Sequence, residues 1–253
     1  MIKFKTEEDI KILREGGKRL AKVLKIVAQH AKAGVKASEL DQIAYENIIK
    51  MGGYPSFLNY KPEFATKAFP NSLCVSVNDV IVHGVPTDNL ILRQGDLVSL
   101  DIGMKYKGLY TDMAITIGIG RLKEEDKKLL IATRNALKEA IKMARYGNTL
   151  GDIGYAISNY AKKYNFKVIR DLVGHGVGYE VHEDPPVFNY GNRGEGLKLE
   201  EGLVLAIEPM LTFSTSLIKE NSDGSFSTLD GKKACHFEHT IAILKDKTIV
   251  ITQ

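Results

Sequence analysis

This chain of 253 residues carries one pattern twice, and a duplicated pattern limits the fold to two halves related by a pseudo-twofold axis. Ser38 and Asp41, read as a helix-start signal, recur at the same internal spacing as Thr149 and Asp152. His83-Gly84-Val85 recurs as His175-Gly176-Val177. Gly95 precedes Asp101 by the same interval that separates Gly202 from Glu208, and Asp112 and Glu238 each sit on the strand that follows. Each half, about 1–120 and 121–253, therefore reads as two helices, a His-Gly-Val, an apolar strand ending in an acid, and a further acid-bearing strand. Equivalent strands that give one acid each meet only when the halves share a sheet. The expectation is one α+β domain spanning 1–253, an antiparallel sheet lined by helices on one side, with the acids converging near the pseudo-axis.

Local patterns fill this frame. Thr6-Glu7-Glu8-Asp9 is a capping box, and Ile10, Leu13, Leu20, Val23, Leu24, Val27 and Ala31 recur at helical spacing up to Gly34. Ser38-Glu39-Leu40-Asp41 predicts the start of a second helix ending at Gly52-Gly53. Prolines and aromatics make 54–72 a predicted loop, and 73–86 is strand-like and contains His83. Two more helices are expected over 124–145 and from Thr149 to about Asn165, then strands at 167–173, 202–209 and 234–244.

Residues 96–118 read as a β-hairpin, because both arms are rich in strand formers and Lys107-Gly108 can supply a two-residue turn. That turn sets 106 against 109, hence 101 against 114 and 103 against 112. Asp101 and Asp112 then share one face as diagonal neighbours, roughly 7–8 Å apart at the backbone. Two unit charges about 4 Å apart repel by roughly 4 kcal/mol at an effective dielectric of about 20, so such a pair needs a proton, solvent or a cation. Asp101, Asp112, Glu208 and Glu238 offer four negative charges, which two divalent cations balance. Carboxylates with one imidazole and no thiolate suit Mn, Fe, Co or Zn. A pair of such ions can lower the pKa of a shared water to about 7, giving a hydroxide nucleophile. His83 and His182 are then neutral imidazoles, fit to hydrogen-bond a polarised carbonyl or a departing amide nitrogen. His239, adjacent to Glu238, falls on the opposite face of its strand and reads as structural.

Five stretches in order, covering nearly the whole chain, resemble type I methionine aminopeptidases. They are Cys74-Val75-Ser76-Val77-Asn78 through His83-Gly84-Val85-Pro86, the Asp101 and Asp112 pair, Gly174-His175-Gly176-Val177-Gly178 with His182-Glu183, Ile207-Glu208-Pro209-Met210, and Phe237-Glu238-His239-Thr240. The resemblance implies a pita-bread fold and a dinuclear metal site that removes the initiator methionine from nascent chains. It implies Asp101 and Asp112 as ligands with Asp112 bridging, His175 and Glu208 on one ion, and Glu238 bridging from the other side. By the same likeness His83 and His182 contact the substrate, and Glu208 accepts a proton from the attacking water. Phe69 and Cys74 match apolar pocket positions, whereas Thr66 and Val181 stand where larger aromatics are usual. The chain has no Trp, and where the family often has Asp-Gly-Trp it reads Asp223-Gly224-Ser225-Phe226, so Phe226 is expected to fill that part of the pocket.

Other motifs fail on inspection. His182-Glu183 does not open H-E-x-x-H because position 186 is Pro. Gly191 to Gly196 has P-loop glycine spacing but Leu197 replaces the lysine, and Gly174-x-Gly176-x-Gly178 lacks the last glycine of a dinucleotide fingerprint, so no nucleotide cofactor is expected. A net charge of +4 is too small to argue nucleic-acid binding, and Cys74 and Cys235 are too few for a disulfide framework. Neither a signal peptide nor a run of about 18 apolar residues is found, so a cytoplasmic protein without membrane contact is expected; a monomer is the separate expectation for its assembly. Lysines of the first and third helices read mainly as a solvated face, with transient ribosome contact following from a nascent-chain substrate. Two alternatives stand beside this reading. One is an aminopeptidase P or prolidase of the same fold, which resemble longer chains with an added N-terminal domain. The other is a metal-free binding protein, whose kind loses ligands that this chain keeps.

Overall fold

The computed structural model describes residues 2–61 and 67–253. The first half runs α1 (Glu7–His30), α2 (Ala37–Lys50), β1 (Tyr54–Pro55), β2 (Leu73–Val77), β3 (Val80–Val82), β4 (Leu97–Tyr106) and β5 (Leu109–Gly118). The second half opens with α3 (Glu124–Met143), α4 (Leu150–Lys163), β6 (Lys167–Val168), β7 (Gly174–Gly176), β8 (Glu183–Val187) and β9 (Val204–Ile207). It closes with β10 (Met210–Thr212), β11 (Ile218–Glu220), β12 (Phe226–Thr228), β13 (Ala234–His236), β14 (His239–Ile243) and β15 (Thr248–Val250).

Two larger sheets, both antiparallel, form the centre. In one, β4 lies between β1 and β2 along its length and also pairs with β5; the other has the order β15-β14-β9-β7-β8. Leu20, Leu24, Leu40 and Ile48 of α1 and α2 pack on Leu73, Leu100, Ile102 and Met104 of the first. Leu129, Leu137, Ile153 and Ile157 of α3 and α4 pack on Leu205, Ile207, Ile241 and Ile243 of the second. Each half thus buries one sheet face under its own helix pair, and the opposite faces meet. Two small three-stranded sheets, β13-β10-β6 and β11-β12-β3, complete the rim. No helix among the described residues is long and apolar enough to cross a membrane.

The hairpin follows the expected register: Tyr106 faces Leu109, Asp101 faces Ala114 and Gly103 faces Asp112. Lys107 and Gly108 both have positive φ, as the tight turn that matches strand twist requires. Backbone polar groups stitch the halves together. The Glu238 N–H donates to the Ala114 carbonyl at 2.8 Å, the Asp112 N–H to the Thr240 hydroxyl at 2.9 Å, and that hydroxyl to the Asp112 carbonyl at 2.7 Å.

Several boundaries differ from expectation. The predicted loop contains the short β1, the stretch 73–86 is split into β2 and β3, and 167–173 keeps only β6. The strand expected over 234–244 is two strands. β13 pairs with β10 while β14 pairs with β9, and the break at Phe237-Glu238 lies opposite Glu208-Pro209. Proline has no N–H to give the ladder, so the pairing there is reduced to one long bond, from the Phe237 N–H to the Pro209 carbonyl at 3.4 Å. The second helix begins at Ala37 with Lys36 as N-cap, not at Ser38. Lys36 bridges Ile91 just as Thr149 bridges Lys198, so the capping positions of the repeat are Lys36 and Thr149. Ser38 instead bonds Asp88, and Asp41 accepts the Ser72 and Leu73 N–H groups at the entry to β2.

This assignment of caps is open to measurement. Thr149 and Asp152 form a complete box, so Thr149→Ala should cost about 1 kcal/mol, read as a lower urea midpoint. Ser38→Ala, outside any cap, should cost less than about 0.5 kcal/mol; equal losses at the two positions would refute the two-residue offset.

Candidate metal centre

Strand alternation delivers the first two acids. Val98, Leu100, Ile102 and Met104 of β4 face the helices, which turns Ser99 and Asp101 toward the other half. Asp112 sits diagonally across on β5. From the second half, His175 on β7 is opposite Ala206, so its ring shares a face with Glu208 two residues on. Glu238 enters at the break between β13 and β14, with its backbone bonded to the residue that faces Asp101.

These groups converge. His175 Nε2 lies 3.6 Å from Glu208 Oε1 and 4.0 Å from Asp112 Oδ2, and Asp112, His175 and Glu238 offer ligand atoms all within 4.8 Å of one another. His175 Nδ1 is 2.9 Å from the Gly176 carbonyl, an acceptor only, so Nδ1 carries the proton and the Nε2 lone pair points at the acids. The His-Gly-Val glycines have a steric reason. A Cβ at Gly176 would stand 2.2 Å from the Asp184 carbonyl oxygen, and one at Gly84 2.3 Å from that of Val75.

Asp101, Asp112, Glu208 and Glu238 are only 2–9% exposed. Among the described residues no lysine or arginine pairs with any of them, and Asp101 Oδ1 and Glu238 Oε1 have no hydrogen-bond partner. Burial, opposed by His236 and reinforced by Glu208, pushes the Asp101 carboxyl up to about 7. Burial and the neighbouring acids push Asp112 and Glu238 well above the usual carboxylate range. Crowded buried carboxyls with orphaned oxygens and one aimed imidazole lone pair fit hard or borderline divalent cations, which would relieve both the repulsion and the missing partners.

Around this cluster stands a rim. His182 packs edge-on against His175, with ring centres 4.4 Å apart, and its Nδ1 is 2.8 Å from the Tyr60 hydroxyl. Partial removal from water and the nearby imidazoles His175 and His83 keep His182 neutral, although an edge meets solvent. His83 is also pushed toward the neutral form by desolvation, and it holds a left-handed backbone (φ +58°), a conformation that costs a non-glycine residue. Phe57, Cys74 and Val181, with Tyr60, Phe69 and Tyr110, form an apolar cluster beside the acids. Cys74 faces Asp101 across the strand pair, and burial raises its thiol well above its ordinary pKa, so it is a neutral wall.

The structure brings Phe69 and Cys74 together and puts Phe226 beside His83. Its ring meets His83 edge-on at 5.8 Å and packs with Ile81, Val82, Ile169 and Met210. The reason is its strand: β12 pairs with β3, which ends at Val82 just before His83. Thr66 lies outside the described residues. His239 is structural, as expected, with Nδ1 3.0 Å from the Thr252 hydroxyl. Sequence reasoning missed Tyr60 and His236. Tyr60 sat in a segment read only as loop, whereas His236 carried a usable signal, two residues before Glu238 and so on its face.

Comparison with known proteins agrees with this geometry. Residues 11–245 match the model of metallopeptidase family M24. The chain is 41% identical over 254 residues, with both chains wholly covered, to methionine aminopeptidase 1 of Bacillus subtilis. It is 42% identical to methionine aminopeptidase of Aquifex aeolicus, covering 100% of this chain and 99% of that one. A crystal structure of methionine aminopeptidase from Thermotoga maritima superposes with a TM-score of 0.95 at 38% identity, with all of both chains covered. A prolidase of Pyrococcus horikoshii is more distant, with a TM-score of 0.76 at 26% identity over 99% of this chain and 63% of that one. The pita-bread architecture is common to these structures. The chain belongs to metallopeptidase family M24.

Proposed function

We propose that this protein is a metallo-aminopeptidase that removes the N-terminal methionine from nascent polypeptides. One observation carries the reading: four buried acids and the Nε2 of His175 converge with no lysine or arginine partner among the described residues, beside an apolar cluster. Asp101, Asp112, His175, Glu208 and Glu238 are the residues that would hold two divalent cations, Co, Mn, Fe or Zn. Bound there, the ions act as Lewis acids toward the scissile carbonyl and acidify water to a pKa of about 7.

The chain's own groups do the rest. Glu208 accepts the proton of the attacking water, within reach of His175. His83 and His182, held toward the neutral form, hydrogen-bond the peptide carbonyl and the departing nitrogen, and the proton taken up by Glu208 passes to that nitrogen as the bond breaks. Phe69 and Cys74, with Tyr60, Tyr110 and Val181, take the methionine side chain, which a soft apolar wall suits. Phe226 supports His83 from behind. The free α-amine enters the acid-lined end, which confines cleavage to the chain terminus. Full-length similarity near 40% to methionine aminopeptidases, against 26% to a prolidase, favours this substrate over Xaa-Pro peptides. The reading takes 1–253 as one catalytic domain of two pseudo-symmetric halves, acting as a cytoplasmic monomer. Exposed Lys11, Arg14, Lys18, Lys22 and Lys25 along α1 support transient contact with the ribosome.

Two measurements test the function. Protein reconstituted with Mn or Co should cleave Met-Gly-Met in preference to an Xaa-Pro peptide. Outer partners of metal ligands are typically worth 10–100-fold, so Asp112→Asn should lower kcat/KM by more than about 100-fold. Preference for the proline bond would transfer the assignment to the prolidases.

The raised carboxyl pKa values give a second test, and the sign follows from competition. A carboxyl that keeps its proton up to about pH 7, as Asp101 does, must release it to bind a cation. Mn binding at pH 7 should therefore release protons, and affinity should fall as pH drops below about 7. Titration calorimetry in two buffers of different ionisation heat reads the proton count; identical heats would mean that the acids were already ionised.

A further inference from the structure

His236 is the imidazole that the proposed chemistry leaves unused. Its ring is 1% exposed, and among the described residues neither Nδ1 nor Nε2 has a hydrogen-bond partner. Nε2 lies 3.3 Å from Glu208 Oε2, an ion-pair distance without hydrogen-bond alignment. The other oxygen of the same carboxylate, Oε1, is 3.6 Å from His175 Nε2. Glu208 thus stands between two imidazoles, one on each oxygen.

The backbone of His236 is fixed firmly enough to make that position meaningful. Its N–H donates to the Thr116 hydroxyl at 2.9 Å, which donates back to the His236 carbonyl at 2.7 Å. That hydroxyl has one proton, so Ser99, 2.8 Å away, must be the donor in the Ser99–Thr116 contact. Residues of the first half therefore hold a second-half histidine against a second-half acid. A buried polar ring without partners is costly, and chains keep such groups where another role depends on them.

We propose that His236 is a positioning residue: its Nε2 edge, at ion-pair distance, holds Glu208 Oε2 and so keeps Oε1 turned toward His175, where a cation would be held. The inference rests on Glu208 being a ligand, and it assigns His236 no contact with metal or substrate. His236 orients one ligand of one ion, so its loss weakens one binding event and not the other.

The test is Mn titration of metal-free wild type, His236→Leu and His236→Gln, together with their metal-free thermal midpoints. Leucine fills the space without a donor, and glutamine restores an N–H that can reach the carboxylate. His236→Leu should weaken one of the two binding events 10–100-fold, while its metal-free midpoint stays level or rises. His236→Gln should return affinity to within a few-fold of wild type. If His236→Leu binds Mn as tightly as wild type, or lowers only the midpoint, the residue is structural and the inference falls while the metal reading stands. Equal weakening in both variants would make the imidazole itself the ligand and also overturn it. Wild type that binds no Mn would remove the metal reading itself.

Discussion

Mutual repulsion among four buried carboxylates is the interaction to which the fold answers. Each acid alone would accept a lysine or arginine as partner, and such a pair would be the cheaper way to bury it. Among the described residues the chain supplies none and uses neutral hydroxyls at the seam instead: Thr240 to the backbone of Asp112, Thr116 to the backbone of His236, Ser99 to Thr116. A hydroxyl anchors backbone without adding a counter-charge, so no basic side chain of the seam competes with a cation for the acids. The cost of holding them apart from counter-charge falls on the two helix-covered sheets, whose apolar faces are almost completely buried.

Where local rules governed, the sequence was readable. The register of β4 and β5 followed from a two-residue turn and the period of a strand, and these alone put Asp101 and Asp112 on one face. The duplication led to four of the acids, because equivalent points of equivalent halves must approach the axis. Non-local effects were not readable. Ser38 looks like a cap, yet the bridge from Lys36 to Ile91 starts the helix earlier, and Asp41 serves the backbone of β2. The break at Phe237-Glu238 comes from Pro209 on a neighbouring strand nearly thirty residues away in sequence, roughly the span between two paired strands.

The duplication is therefore faithful in its scaffold and unequal at its acids. In the first half one unbroken hairpin carries both carboxylates. In the second, both acids sit where a pairing fails: Glu208 between β9 and β10, and Glu238 between β13 and β14. A residue at a break is free of strict alternation, so Glu238 can enter the seam while its neighbours His236 and His239 belong to different sheets. The same break frees β10 and β13 to build the small sheet with β6, and the adjoining sheet of β3, β11 and β12 carries Phe226 up to His83. The rim that would meet the substrate is thus a product of the asymmetry, while the floor that would hold the ions is a product of the repeat. A scaffold divided in this way can change what it cleaves by altering the residues around the acids, most of them in the first half, without disturbing the paired acids. The methionine aminopeptidase and prolidase structures share this architecture, so fold alone does not decide what such a scaffold cleaves.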